Sequence, residues 1–497
     1  MNAWYLDDGF LVGRRKDLAS ALRILEEECP PRGLALRKEK CHFYPPAQPH
    51  EPSEPFFLGI PVGDSRDLIL LGSPIGSERS RVTSLSARVK ELEGMMRLLP
   101  KLKDSQAELT LLRACFALPK FAFGLRTSPP HVTSLPAKEF DYAVRSALGD
   151  ILGCPIDDRA WAQASLPTTL GGIGLRSAVD HAPAAYVASV AQTHQLVQRI
   201  LPSSVPPPPL GALPALLPEL DLLPTAIPPQ RVISRAIDLA NQAQVIAEAN
   251  DQRTKARLRS LTLPHAGDFL DVIPSQSLGL AMHSLDFRFV VQYRLGLPVY
   301  NSDSPCLVCG KPNDRLGDHA VGCGGDTERI ARHDRIRDVL YHAAASAALG
   351  PRREVPVSGN SQSRPADVYI PNWNRGRPAA LDLTVISPLQ RATLREAATA
   401  AGHALAIAKR RKLSHHLTEC QRHGIDFLPL AVESLGGWEA DAEKQIDEIA
   451  RFQTIRASNP HARRHLWQRL GIVLQKGNAA LLARRSPTQL SRVDGLE

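Results

Sequence analysis

Ten prolines crowd the stretch from 201 to 230: Pro202, Pro206 to Pro209, Pro214, Pro218, Pro224, Pro228 and Pro229. Proline fixes φ and has no N–H to donate, so neither a helix nor a sheet interior accepts that density. The stretch reads as a stiff linker between a shorter N-terminal and a longer C-terminal part. At 497 residues and 43% hydrophobic content, both parts can build cores of their own, so several domains are expected.

The formal net charge of +9 suits a polyanionic partner, nucleic acid first. Eight cysteines in so long a chain, three of them between 306 and 323, argue against a disulfide framework. They fit a reducing compartment and one metal site. No apolar run reaches the length of a membrane span, and the N-terminus lacks a basic-then-apolar signal pattern. The expectation is a soluble protein, nuclear or cytoplasmic, with no membrane partner. Nothing in the sequence fixes its oligomeric state.

Near the start, apolar residues flank Asp7-Asp8-Gly9 on both sides: Ala3, Trp4 and Tyr5 before, Phe10, Leu11 and Val12 after. This reads as two short strands around a tight turn with the aspartates at its tip. Adjacent carboxylates repel unless a cation shares them, so Mg²⁺ coordination is one use of the tip. An ordinary solvated Asp-Asp-Gly turn is the other. From 78 to 99, Val82, Leu85, Val89, Leu92, Met96 and Leu99 recur in steps of three and four, one buried face of a helix. Helical patterning continues to about 200 and resumes from 231 to 300, where Arg288, Tyr293 and Arg294 stand near the end. They could track a phosphate backbone or bury their stems in the core.

Cys306, Cys309, His319 and Cys323 have the spacing C-x2-C-x9-H-x3-C, which suits a tetrahedral Zn²⁺ site. Gly310, Gly317, Gly322 and Gly324 allow the sharp turns so short a module needs. His333 is a rival fourth ligand. Further on, Asp367 precedes the apolar strand Val368-Tyr369-Ile370, and Asp382 lies inside Ala380-Leu381-Asp382-Leu383-Thr384-Val385-Ile386. A hairpin of these two strands brings both carboxylates to one sheet edge, as Mg²⁺- or Mn²⁺-assisted phosphodiester cleavage requires. Taken alone, Asp382 reads equally well as a satisfied core carboxylate. Glu354 is a further candidate metal ligand.

These motifs, in this order, resemble the C-terminal part of a non-LTR retrotransposon polyprotein. Tyr5-Leu6-Asp7-Asp8 is similar to the paired-aspartate hairpin of a reverse transcriptase, and Gly33-Leu34-Ala35-Leu36 with Lys40-Cys41 to its next motif, Arg37 replacing an Asn. Leu70 to Gly76 resembles the primer-gripping hairpin, with Phe57-Leu58-Gly59-Ile60-Pro61 a competing match. Leu112-Arg113-Ala114-Cys115, Pro119-Lys120, Leu125-Arg126-Thr127 and Gly171 to Arg176 resemble the thumb and the segment after it. The knuckle followed by Asp367 and Asp382 resembles the family's restriction-like endonuclease, and Glu433 to Trp438 is its last recognisable segment.

The resemblance implies an α+β multidomain chain. Its parts are a partial palm at 1–77, thumb and following helices at 78–200, the linker at 201–230, a helical linker domain at 231–300 and a zinc knuckle region at 301–345. A restriction-like α/β nuclease core at 346–455 and a basic helical tail at 456–497, with Arg463, Arg464 and Arg469, complete it. It implies Asp7, Asp8 and Lys40 as polymerase positions, Asp367 and Asp382 as nuclease metal ligands, and target DNA and element RNA as partners. Ala366 departs from the family's Pro-Asp dipeptide, and Thr384 stands where related nucleases carry a catalytic Lys. Lys409 or Lys412 then takes that role, in a basic run that also reads as a phosphate-contacting face. In the family, a further polymerase aspartate lies on a strand well upstream of Asp7, so the expectation is that DNA nicking outlives polymerisation. A non-catalytic nucleic-acid-binding remnant or domesticated protein, or a full reverse transcriptase with a misassigned start, are the alternatives.

Overall fold

In a computed structural model the chain is described from residue 2 to 485, apart from 46–56, 58, 65–66, 201–205, 207–208, 212, 221, 224–225, 326, 357–365 and 375, and the side chains of Ala3 and Asn374. The fold is mixed α+β. It opens on the expected hairpin, β1 (Asn2–Tyr5) antiparallel to β2 (Asp8–Leu11). Leu6, at φ 56, begins the turn, and the Trp4 indole lies so close over Gly9 that a Cβ there would clash at 2.2 Å. After α1 (Arg15–Glu28), β3 (Ile69–Leu70) and β4 (Ser73–Pro74) form a second hairpin through Leu71 and Gly72, both at positive φ. Of the competing segment, Phe57 and Ile60 are buried in a small cluster with Leu22.

The helix foreseen from 78 is α2 (Glu78–Met96), opened by Ser77, whose hydroxyl accepts the Ser80 N–H. Its buried face is Leu85, Val89, Leu92 and Met96. With α3 (Ser105–Leu111), α4 (Leu118–Thr127), α5 (Pro130–Leu152), α6 (Asp158–Ala164) and α7 (Ala178–Ile200) it forms an all-helical core. The proline-rich segment is not a free spacer throughout. Leu213 of α8 (Leu213–Leu216), Leu217 and Leu222 pack against Ala184, Val187 and Ala188 of α7 and against Ile233, Ala236 and Ile237 of α9 (Gln230–Ala247). The later part of the block after it shares the first core. Following α10 (Gln252–Ser260), Phe269, Leu270 and Val272 join the same core as α2 to α7, as do Phe287, Val290 and Val291 of α11 (Ser284–Leu295).

The cysteine module is a two-stranded ribbon, β5 (Ser304–Pro305) with β6 (Pro312–Asn313), and the short α12 (Asp318–Gly322). Beyond it, α13 (Thr327–Ser346), assigned above to the knuckle, packs Ile336, Val339, Leu340 and Ala344 on the next sheet and belongs to that core. The sheet has the order β10-β9-β8-β7. β7 (Arg352–Val355), β8 (Ala366–Asn374) and β9 (Arg377–Ile386) run antiparallel. After α14 (Leu394–Ala397), α15 (His403–Arg422) crosses one face so that β10 (Asp426–Glu433) returns parallel to β9. The other face is covered by α13, α16 (Ala440–Ala457) and α17 (Ala462–Arg484).

Within the expected basic helical tail, α17 is thus a central helix. Its Trp467, Leu470 and Leu474 lie in the sheet core, Ile472 and Ala479 in the helical core, and Leu482 in a third cluster with Val299, Tyr300 and Leu389. One helix threading three hydrophobic clusters ties the helices of the first core, the cysteine module and the sheet into a continuous interior.

Candidate functional site

Val368 pairs with Leu381 across β8 and β9, which places Asp367 and Asp382 on the next rung of that ladder. Asp367 Oδ2 accepts the Leu383 N–H at 2.6 Å, fixing the carboxylate against β9. Asp382 is 4% exposed and faces α15, whose Lys412 places Nζ 2.8 Å from its Oδ1. Its Oδ2 is buried with no donor, the Asp367 carboxyl beside it being able to share a proton but not, when ionised, to supply one; Thr384 Oγ1 is likewise buried without a partner. A fourth group, unforeseen here, comes from α13: His333 Nε2 lies 3.2 Å from Asp367 Oδ2 and 3.2 Å from the Leu383 carbonyl oxygen, and Nδ1 is 3.3 Å from Asp334.

The two carboxyls differ electrostatically. Burial pushes Asp382 up to about 6, against the pull of Lys412, and the neighbouring Asp367 carboxylate adds to the rise. Burial also opposes ionisation of Asp367, but His333, the Leu383 N–H and Lys412 outweigh it and hold its carboxyl below the ordinary range. For His333 burial favours the neutral ring, and Asp367 and Asp334 more than reverse it, so its pKa is raised. Two carboxyl groups, the Lys412 amine and the His333 imidazole thus converge at the β8–β9 edge, an arrangement able to bind a divalent cation and to offset charge on a phosphate.

Several expected positions lie elsewhere. Lys409 is 2.9 Å from Glu439 and 2.5 Å from Asp441, at the N-terminus of α16, where Glu439 accepts the Asp441 N–H. It closes α15 onto α16 and leaves Lys412 as the lysine of the cluster. Glu354 pairs with Arg337, 2.6 Å away. Ala366 is buried at the start of β8, while Arg364 and Pro365 lie outside the described residues.

The four foreseen metal ligands come together. Their donor atoms lie within 4.8 Å of one another, with Cys306 Sγ 4.0 Å from Cys323 Sγ and Cys309 Sγ 3.2 Å from His319 Nε2. A tetrahedral zinc ion with thiolate bonds of about 2.3 Å spans edges of about 3.8 Å. The cluster can therefore bind a metal such as zinc. Burial opposes the Cys323 thiolate, yet the Gly325 N–H and the Arg485 guanidinium outweigh it and lower its pKa. The Arg485 carbonyl oxygen also accepts from Leu307 N and from Asn313 Nδ2, and Tyr300 donates its hydroxyl to Leu482 O at 2.6 Å. The module is docked on the end of α17. Arg332, next to His333, donates to Asn478 Oδ1 at 2.7 Å, so α17 holds α13 as well.

At the N-terminus, Asp7 and Asp8 are exposed at the hairpin tip, and Lys40 is exposed in a short 3₁₀ turn, Lys38–Lys40. Arg294 and Tyr293 do not track a surface: both are buried, and Arg294 donates to the carbonyls of Gly172, Ala266 and Thr168 at 3.1, 2.7 and 2.9 Å. Arg288 donates to Ser105 Oγ at 2.9 Å. No helix among the described residues is long and apolar enough to cross a membrane. No protein-family model matches the chain, and no curated protein matches it either.

Proposed function

We propose that the sheet bearing Asp367, Asp382 and Lys412 is a DNA-nicking endonuclease dependent on Mg²⁺ or Mn²⁺, and that the chain is a retrotransposon-type reverse transcriptase and endonuclease with target DNA and element RNA as partners. The observation that carries the reading is the meeting of Asp367, Asp382 and the Lys412 ammonium, from two strands and a crossing helix, around a buried unpartnered carboxylate oxygen. Such an oxygen is costly in a sheet core unless a cation or proton takes it.

A divalent ion held by the two aspartates would polarise the scissile phosphate and lower the pKa of a bound water. Lys412 is placed to shift its ammonium from Asp382 to a phosphate oxygen, where it offsets the charge that accumulates as water attacks. His333 and the Leu383 N–H keep Asp367 ionised and aimed. The cysteine module braces α13 through α17. In this reading Asp7, Asp8 and Lys40 mark the polymerase, whose thumb is the helical core of α2 to α7.

Conversion of supercoiled plasmid to nicked circles tests the proposal. Wild-type protein should nick in Mg²⁺ or Mn²⁺ and not in EDTA, and Asp367→Asn and Asp382→Asn should bind DNA without nicking it. If wild-type protein binds DNA and never nicks it in either metal, the Lys412 and His333 pairs are structural and the protein is a nucleic-acid-binding one.

A further inference from the structure

We propose that His333 is a third protein ligand of the ion at the Asp367–Asp382 site, making it a histidine–dicarboxylate centre that prefers Mn²⁺ to Mg²⁺. This rests on the nuclease reading in one respect: it places a divalent ion between those carboxylates.

Three observations point to it. His333 Nε2 is 3.2 Å from Asp367 Oδ2. Neighbouring ligands on one ion, each bound at about 2.1 Å and at right angles, stand about 3 Å apart. The other ring nitrogen, Nδ1, is 3.3 Å from Asp334 Oδ1, and a ligating histidine ordinarily gives its second N–H to such a carboxylate. Finally, Asp382, which faces Asp367 across the β8–β9 rung, keeps a buried Oδ2 with no donor, so a polar atom remains to be satisfied beside this pair.

The imidazole is delivered by a rigid element. On α13 the neighbouring Arg332 is buried and bonded to Asn478, and Ile336 is fully buried in the sheet core. Nε2 has one lone pair, given to a proton or to a metal, while the N–H on Nδ1 serves Asp334 in either case. An imidazole ligand suits later first-row ions, whereas Mg²⁺ favours oxygen donors and retains its waters. Hence the expected preference for Mn²⁺.

The test uses the full chain, zinc-loaded so that His319 is engaged, with Mn²⁺ as the probe. Pulsed electron paramagnetic resonance should show nitrogen bound directly to Mn²⁺ in wild-type protein, and labelling with ¹⁵N-histidine should move the signal to the ¹⁵N frequency. That measurement requires no variant to fold. In His333→Gln the nitrogen signal should vanish, Mn²⁺ should bind at least about tenfold more weakly, and preference over Mg²⁺ should fall. Mn²⁺ bound by wild-type protein without a nitrogen signal, and equally well by His333→Gln, overturns the inference. The nuclease reading survives that result if Asp367→Asn still loses the ion. If Asp367→Asn binds Mn²⁺ like wild type, both fall.

Discussion

Glu433 offers a sharp test of the interior that joins the helical block to the sheet. At the end of β10 it is 1% exposed and accepts a hydrogen bond from the Ser260 hydroxyl on α10. Burial pushes its carboxyl from the ordinary 4.5 up to about 7, although the Ser260 hydroxyl favours the charged form. Between those two values the folded protein holds a proton that the unfolded chain has released. The contribution of Glu433 to stability is therefore greatest below pH 4.5 and declines as pH rises to 7. The gap from 4.5 to about 7, at about 1.4 kcal/mol for each pH unit, amounts to roughly 3 kcal/mol. Glu433→Gln keeps an oxygen for Ser260 and removes the charge. Against wild type it should gain on the order of 3 kcal/mol at pH 8 and nearly nothing near pH 4.5. Urea unfolding at the two pH values, followed by the fluorescence of Trp438 and Trp467 in the adjoining core, measures the difference. Asp382 also titrates in this range but is common to both proteins and cancels. An offset equal at both pH values, or a wild type that gains on the variant toward pH 8, refutes the reasoning.

Elemental analysis should find one tightly bound zinc per chain, lost in a Cys306→Ser, Cys309→Ser protein; zinc retained in that variant removes the ligand assignment. Trp467→Ala should cost about 3–5 kcal/mol in urea unfolding. It deletes a 1% exposed indole that stacks on His265 at 3.5 Å and donates to Asp447 at 2.8 Å. A loss below about 1 kcal/mol, the range of surface substitutions, would make α17 peripheral. Arg294→Met should destabilise by about 3–5 kcal/mol, because three buried carbonyls lose their donor. Nucleic-acid affinity of the folded protein and its salt dependence should not change. A weaker, flatter salt response would restore Arg294 as a phosphate contact.

Local signals were legible where one short stretch determines the outcome. The N-terminal hairpin follows from apolar flanks around a turn, the buried face of α2 from steps of three and four, and the cysteine cluster from spacing within one small module. What failed depends on distant partners. His333 is 34 positions before Asp367 and closer in sequence to the cysteines, for which it is a rival ligand; nothing local says that α13 lies over β8. Lys409 and Lys412 are three apart, so helical periodicity puts them near one face. Only the arrival of Glu439 and Asp441 beside the first, and Asp382 beside the second, separates them. The C-terminal stretch is helical, as its sequence suggests, but arginines at 463, 464 and 469 hide how much of that helix is buried, with Gln468, Gln475 and Asn478 inside along with its leucines. Arg294 shows the converse: a basic residue beside an aromatic one can be a core pin when carbonyls converge on it.

The central claim, that Asp367, Asp382 and Lys412 form one phosphodiester-cleaving site, is tested most directly by the single-turnover nicking rate at saturating DNA for Lys412→Ala beside Lys409→Ala. Saturation removes affinity from the comparison, so only the chemical step is read. The account predicts a rate lower by about a hundredfold or more for Lys412→Ala, as for loss of one charge-stabilising donor. It predicts a near wild-type rate for Lys409→Ala, whose lysine joins α15 to α16. Equal rates for the two variants, or the larger loss in Lys409→Ala, would contradict it.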